Sequence, residues 1–271
     1  MKEFLTRTVS GLIYAAVMIG SITLHPLIFL AVFLFILILG MIEFYRICSI
    51  PESRPMVVPG ITTGVILFLT FFLIRYTGLD SRILLLIPAS GLVLMILPMF
   101  RQKDQPLLSA SLTFLGIVYV SLPFSVFNLL VYHPYHEGFD YQVVLFLFLI
   151  LWLNDTGAYI TGKLIGKHKM FPRISPKKSW EGLAGGLLMA LLITWLSRPL
   201  FPDIPLWHLW ILCPVIVITG TFGDLVESSW KRAADVKDSG KLMPGHGGIL
   251  DRFDSLIFAA PAAYLTITLL T

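Results

Sequence analysis

The chain has 271 residues, of which 56% are hydrophobic and only 13% charged, with a formal net charge of +4. Soluble domains carry about 25% charged and about 45–50% apolar residues, so this composition excludes an ordinary water-soluble globule. The apolar tracts recur from end to end and leave no room between them for a separate soluble domain.

A bilayer core about 30 Å thick needs about 20 apolar residues per helix. Nine tracts approach that length: 8–24, 26–45, 57–74, 83–100, 107–131, 141–160, 183–200, 206–226 and 249–270. The first follows basic residues, as a secretory leader does. It runs almost directly into the second across His25-Pro26, however, and reads as a membrane helix. With the N-terminus inside, sixteen of the twenty Lys and Arg fall in inside segments and three, Arg75, Arg82 and Arg198, outside. Short cytoplasmic loops carry such an excess. The expected fold class is all-α: a polytopic integral membrane helical bundle of about nine transmembrane helices, N-terminus cytoplasmic and C-terminus outside.

Charge divides the chain. Residues 1–140 read as an N-terminal transmembrane scaffold of about five helices, in which Gly60-x-x-x-Gly64 fits close helix packing. Residues 141–271 read as a C-terminal catalytic region of about four helices plus two cytoplasmic polar loops. The stretch 151–255 alone holds twelve of the twenty basic and nine of the sixteen acidic residues. Cys48 and Cys213 have no metal-ligand spacing and read as small packing residues.

Within helix six, Asn154-Asp155-Thr156-Gly157 interrupts an apolar run, and Asp155 has no local cation. Such a carboxylate is expected to face the interior near cation or substrate, or else to be protonated and hydrogen-bonded to a neighbouring helix. The stretch from Gly157 to Gly162-Lys163 has most of a phosphate-binding P-loop, but Leu164 follows and no strand precedes it, so that reading is set aside. In the next loop Lys163, Lys167 and Lys169 fit a phosphate-binding role no better than a positive-inside signal or anionic-lipid contact. Arg173, Ser175, Lys177, Lys178 and Ser179 alternate cations with hydroxyls around Pro176, a pattern suited to gripping phosphates.

The strongest signal is a set of four acids at one membrane edge. Asp224 and Glu227 close helix eight, Asp251 and Asp254 open helix nine, and each pair is spaced i, i+3 on one face. Asp251 and Asp254 could simply favour a helix N-terminus, with Arg232 and Arg252 pairing the rest. The loop between the pairs argues for chemistry, because it brings Ser228, Lys231, Arg232, Lys237, Asp238, His246, Gly247 and Gly248 to the same acids. Glycine permits close backbone approach, and free N–H groups at a helix start suit phosphate. Mg²⁺ is usually held by one or two carboxylates plus substrate phosphates, so the set reads as a metal–polyphosphate site. The remaining histidines, His25, His133, His136, His168 and His208, carry no assigned role.

Ser228-Ser229-Trp230-Lys231-Arg232, Lys237-Asp238-Ser239-Gly240 and His246-Gly247-Gly248-Ile249-Leu250-Asp251-Arg252-Phe253-Asp254 closely resemble the signature of the phosphatidate cytidylyltransferases, or CDP-diacylglycerol synthases. Trp230 stands where that family has an aliphatic residue or Phe. Asn154 to Tyr159 and Ser175 to Gly182 also resemble the family, whereas residues 1–140 share only its multi-span character. The resemblance implies Mg²⁺-dependent transfer of CMP from CTP to phosphatidate, giving CDP-diacylglycerol and pyrophosphate. It implies metal, one ion or two, on Asp224, Asp251 and Asp254. Lys231 and Arg232 would act with Asp251 and Asp254 at the reacting phosphates. Asn154, Asp155, Arg173, Ser175, Lys177, Lys178, Ser179, Ser228, Lys237, Asp238, His246, Gly247 and Gly248 would bind substrate. Membrane lipids and a homodimer are the implied partners, with no nucleic acid. The expected location is a prokaryotic cytoplasmic (inner) membrane with the site facing the cytoplasm. A cation-coupled transporter would place its acids near mid-membrane in broken helices, and a polyprenol kinase would share the metal–phosphate logic; the quoted signature favours cytidylyl transfer.

Overall fold

The structure, a computed structural model, describes residues 2–50, 53–100, 105–240, 242 and 247–271, with the backbone alone for 2–8. Its helices are α1 (Lys2–Thr23), α2 (Pro26–Ile47), α3 (Val57–Thr77), α4 (Leu86–Ile96), α5 (Pro106–Gly116), α6 (Leu122–Leu130), α7 (Gln142–Ile165), α8 (Trp180–Leu196), α9 (Leu206–Ala233) and α10 (Leu250–Leu270). Tight 3₁₀ turns extend α4 at both ends to span Ser81–Phe100, and a π turn at Ile117–Ser121 joins α5 to α6. Seven helical segments among the described residues are long and apolar enough to cross a membrane: Pro26–Ile47, Val57–Thr77, Ser81–Phe100, Pro106–Leu130, Gln142–Ile165, Leu206–Ala233 and Leu250–Leu270. The apolar stretches Val9–Thr23 and Trp180–Leu196 are helical but shorter.

Packing divides the chain into two units: residues 1–129 with 238–252, and residues 130–237 with 253–271. The sequence division near residue 140 follows charge, whereas this one follows contacts, and it assigns the loop 238–252 to the unit built from the N-terminal helices.

In the first unit the α1–α2 turn is set by His25, whose Nδ1 accepts from the Leu27 amide at 3.2 Å, with Pro26 in the first helical turn. A capping acceptor followed by proline is a strong helix start. Tyr45 is fully buried against two glycines, since a Cβ at Gly60 or at Gly116 would strike its ring. Its hydroxyl donates to the Thr113 carbonyl at 2.9 Å. A Cβ at Gly64 would lie 2.6 Å from Met41 Sδ. Gly60 and Gly64 thus let α3 approach α2, which is the packing their spacing predicts.

In the second unit α7 and α8 pack against each other most extensively, and glycine permits it from both sides. A Cβ on Gly157 would lie 2.8 Å from Met189 Cβ, and one on Gly182 would lie 3.0 Å from the Ala158 carbonyl. Gly223 of α9 leaves room for the Asp254 carbonyl, which a Cβ would meet at 2.5 Å. Between α7 and α8 the chain forms an antiparallel pair, β1 (Lys169–Phe171) with β2 (Ser175–Ser179), in register Lys169 with Ser179 and Phe171 with Ser175. The phosphate-gripping loop of the sequence analysis is therefore a short hairpin on an otherwise helical chain. It is anchored where His168 Nδ1 meets Glu181 Oε1 at 2.6 Å and the Trp180 amide donates to the His168 carbonyl at 2.9 Å.

Candidate active site

A cavity of about 260 Å³ in the second unit is lined by one face of α7 (Asn154, Asp155, Ala158, Tyr159), by β2 (Lys177, Lys178, Ser179) and by Thr221 and Asp224 of α9. The α7 residues are spaced i, i+1, i+4 and i+5, which puts them on one helical face. The cavity joins residues that the sequence places in two separate clusters. Lys178 Nζ lies 2.5 Å from Asp224 Oδ2, and the Ser228 hydroxyl donates to Asp224 Oδ1 at 3.0 Å. Below Asp224 on α9, Lys231 Nζ lies 3.1 Å from Glu227 Oε1, whose side chain is 1% exposed. Asp254 lies within electrostatic reach of Asp224, Glu227 and Lys231.

Two readings change. Asp155 is exposed at the cavity rather than buried in the interior, on the α7 face that the hairpin residues Lys177 and Lys178 also border. Ser179 lines the cavity, but its Oγ accepts from the Gly182 amide at 3.1 Å and caps α8. Its 3% exposure fits that capping task. Arg173, Ser175, Lys237 and Asp238 are not among the residues that line the cavity. Arg232 is exposed and donates to the Val236 carbonyl at 3.2 Å. His246 lies outside the described residues.

The expected carboxylate triad divides between the units, with Asp224 and Asp254 in one and Asp251 in the other. Among the described residues no group of three His, Cys, Asp or Glu is arranged to hold a metal. In the first unit Asp251 Oδ2 accepts from the amides of Ser239 at 2.9 Å and Gly248 at 2.8 Å, and lies 3.0 Å from Ser239 Oγ. The Gly248 amide, which the sequence offers to phosphate, is thus turned onto a carboxylate. Gly247 has φ +85°, and a Cβ there would sit 2.6 Å from Asp251 Oδ2, so glycine is required twice over.

Sequence reasoning missed Glu43, which is 6% exposed in α2. Its carboxylate accepts from the Ser239 hydroxyl at 2.8 Å and from the amides of Ile249 at 3.1 Å and Leu250 at 2.8 Å. One signal could have found it: Glu43 is the sole acid in an apolar helix, and an intramembrane acid by default marks a site. Tyr159 and Thr221 were missed too, since an aromatic and a hydroxyl in apolar helices carry no such signal. Lys163 Nζ lies 5.8 Å from the Tyr159 ring centroid, a cation–π distance.

The sequence matches a known group of proteins. The sequence profile of the cytidylyltransferase family matches residues 5–270, and the chain belongs to that family. Among its relatives, phosphatidate cytidylyltransferases of Staphylococcus saprophyticus and Staphylococcus epidermidis are each 47% identical over 156 residues, 57% of this chain and 57% of theirs. The phosphatidate cytidylyltransferase of Staphylococcus aureus strain COL is 37% identical over 237 residues, 86% of this chain and 88% of its own. The chain thus spans little more than half the length of the first two relatives and most of the third.

Proposed function

We propose that the chain transfers a cytidylyl group from CTP to phosphatidate, giving CDP-diacylglycerol and pyrophosphate. The observation that carries this reading is the cavity that gathers Lys177, Lys178 and Asp224 beside Asn154 and Asp155, in a chain of the cytidylyltransferase family. Two lysines beside a carboxylate suit a polyphosphate with its counter-cation.

In the reaction a phosphate oxygen of phosphatidate bonds to the α-phosphorus of CTP while the bond from that phosphorus to the bridging oxygen breaks. Pyrophosphate carries away the electron pair. The nucleophile is already anionic, so no strong base is required, and rate enhancement rests on positioning and charge neutralisation. Lys177 and Lys178 hold the triphosphate. Lys178 then has two anionic partners to choose between, Asp224 and the nucleotide. Lys231 keeps the charge of Glu227 balanced next to Asp224.

The donor set fits Mg²⁺. Asp224 and Asp254 are hard oxygen ligands, two carboxylates suffice when substrate phosphates complete the shell, and the Lys178 ammonium on Asp224 stands where a cation is welcome. When bound, the ion would neutralise charge on the triphosphate and on the departing pyrophosphate.

Nine membrane crossings with the N-terminus inside, a bacterial cytoplasmic (inner) membrane, surrounding lipids and a homodimer belong to the same reading. The bacterial relatives support the membrane and the distribution of basic residues the orientation, while the homodimer rests on the resemblance alone. The test is an assay of purified protein in detergent micelles with phosphatidate and labelled CTP, with and without Mg²⁺. Equal, Mg²⁺-dependent yields of CDP-diacylglycerol and pyrophosphate are expected. Folded protein that makes neither product would overturn the proposal.

A further inference from the structure

A carboxyl group that is 6% exposed in an apolar helix needs hydrogen-bond partners to offset its desolvation. Glu43 has the Ile249 amide on Oε1, and the Leu250 amide and Ser239 hydroxyl on Oε2. The backbone around it is cleared of side chains. A Cβ at Gly240 would collide with Oε1, and one at Gly248 with Oε2 and with Ser239 Oγ. The two amides belong to the opening of α10, where N–H groups have no intrahelical acceptor and negative charge is favoured by the helix dipole. Glu43 therefore caps α10 from α2.

The same small set of atoms holds Asp251. Ser239 Oγ lies 2.8 Å from Glu43 Oε2 and 3.0 Å from Asp251 Oδ2, and Gly248 donates its amide to Asp251 while leaving space for Glu43. We infer that Glu43 is a positioning residue: by fixing Ser239 and the first turn of α10 it sets the orientation of the Asp251 carboxylate, which the resemblance to the phosphatidate cytidylyltransferases puts among the groups acting at the reacting phosphates. The turnover part rests on the cytidylyl-transfer reading, whereas the positioning part does not.

Hydrogen–deuterium exchange of the full chain in micelles reads the positioning without catalysis. Glu43→Ala should raise exchange in a peptide covering 247–252 about tenfold or more, since two amides lose their acceptor. In the CTP and phosphatidate assay kcat should fall by about 100-fold, the scale of a misplaced group, with both KM values within about twofold. Gly240→Ala alone should also lower kcat, because its Cβ meets Glu43. In the Glu43→Ala background that collision is gone and only a 3.3 Å contact with Gly248 Cα remains, so adding Gly240→Ala should change kcat by less than about twofold. If Glu43→Ala unfolds throughout, Glu43→Gln decides, since it retains one acceptor oxygen and should give an intermediate rise in exchange. Unchanged exchange at 247–252, or multiplicative losses in the double variant, overturns the positioning role. Wild-type chain that makes no CDP-diacylglycerol overturns the transfer reading instead, and the exchange result still decides Glu43.

Discussion

In the first unit the carboxylates of Glu43 and Asp251 rest on backbone amides and a serine hydroxyl. In the second, Asp224 and Glu227 meet the ammonium groups of Lys178 and Lys231. The two kinds of donor differ in what they allow. An amide in a helix turn is fixed by the chain, so a carboxylate bound to it is fixed as well. A lysine ammonium rides on a flexible four-carbon stem and can transfer to a more anionic partner such as a triphosphate. Amide-held acids set geometry, and ammonium-held acids leave charge to exchange with substrate.

The sharpest break in that contrast is at Asp224. Asp224→Asn keeps the shape and removes the charge that both Lys178 and a divalent ion would meet, so turnover should drop by about 100- to 1,000-fold with the fold retained. Activity in the micelle assay within about threefold of wild type would sink the exchange of cations at this position.

Next comes a difference in stability between the units. Glu43→Ala strands buried donors, at roughly 1–3 kcal/mol each. Lys178→Ala breaks a pair whose side chains are 26% and 31% exposed, and such partly solvated pairs contribute about 0–1 kcal/mol. Denaturation in matched micelles should therefore rank Glu43→Ala well below Lys178→Ala in stability. Lys178→Ala should instead lower kcat/KM for CTP by about tenfold or more. A reversed stability ranking would erase the distinction between fixed and exchangeable carboxylates.

Much of this was legible in the sequence because it rests on local pattern. Tracts of about 20 apolar residues announce spans, and the tracts at 26–45, 57–74 and 206–226 lie within helices of membrane-crossing length. Gly60 and Gly64 announce a close approach through their spacing alone. Asn154 stands out as a polar residue in an apolar run, Lys177 and Lys178 as cations alternating with hydroxyls around Pro176, and the cavity gathers all three. Glu43 was not legible as part of the 238–252 loop because its donors lie 196 to 207 residues away in sequence. Two of those donors are backbone amides, which every residue but proline possesses and which leave no mark in the sequence. Asp155 was misplaced for a related reason: composition shows that its neighbours are apolar, but only the rotation of α7 shows which way it faces. Ser179 reads from the sequence as a phosphate grip, and only the start of α8 shows that its Oγ also accepts from the Gly182 amide and caps the helix.

The smallest expected effect concerns a third way of holding an acid, at the opposite end of α7 from the cavity. His133 Nε2 lies 2.9 Å from Asp140 Oδ2, and the Gln142 amide donates to Asp140 Oδ1 at 3.2 Å. Burial pushes the Asp140 carboxyl up, but the His133 hydrogen bond, the Gln142 amide and the charges of His133 and His136 together hold it below the usual carboxylate range. A carboxyl depressed in the folded state stabilises above its unfolded pKa of about 3.9, and that contribution is lost as pH falls through the folded value. Asp140→Asn should therefore lower the melting temperature at about pH 7, and its gap to wild type should close as the buffer is taken toward about pH 3. A gap that widens on acidification would mean that Asp140 is favoured in its protonated form, and the His133 contact would then be a hydrogen bond to a neutral acid rather than a held charge.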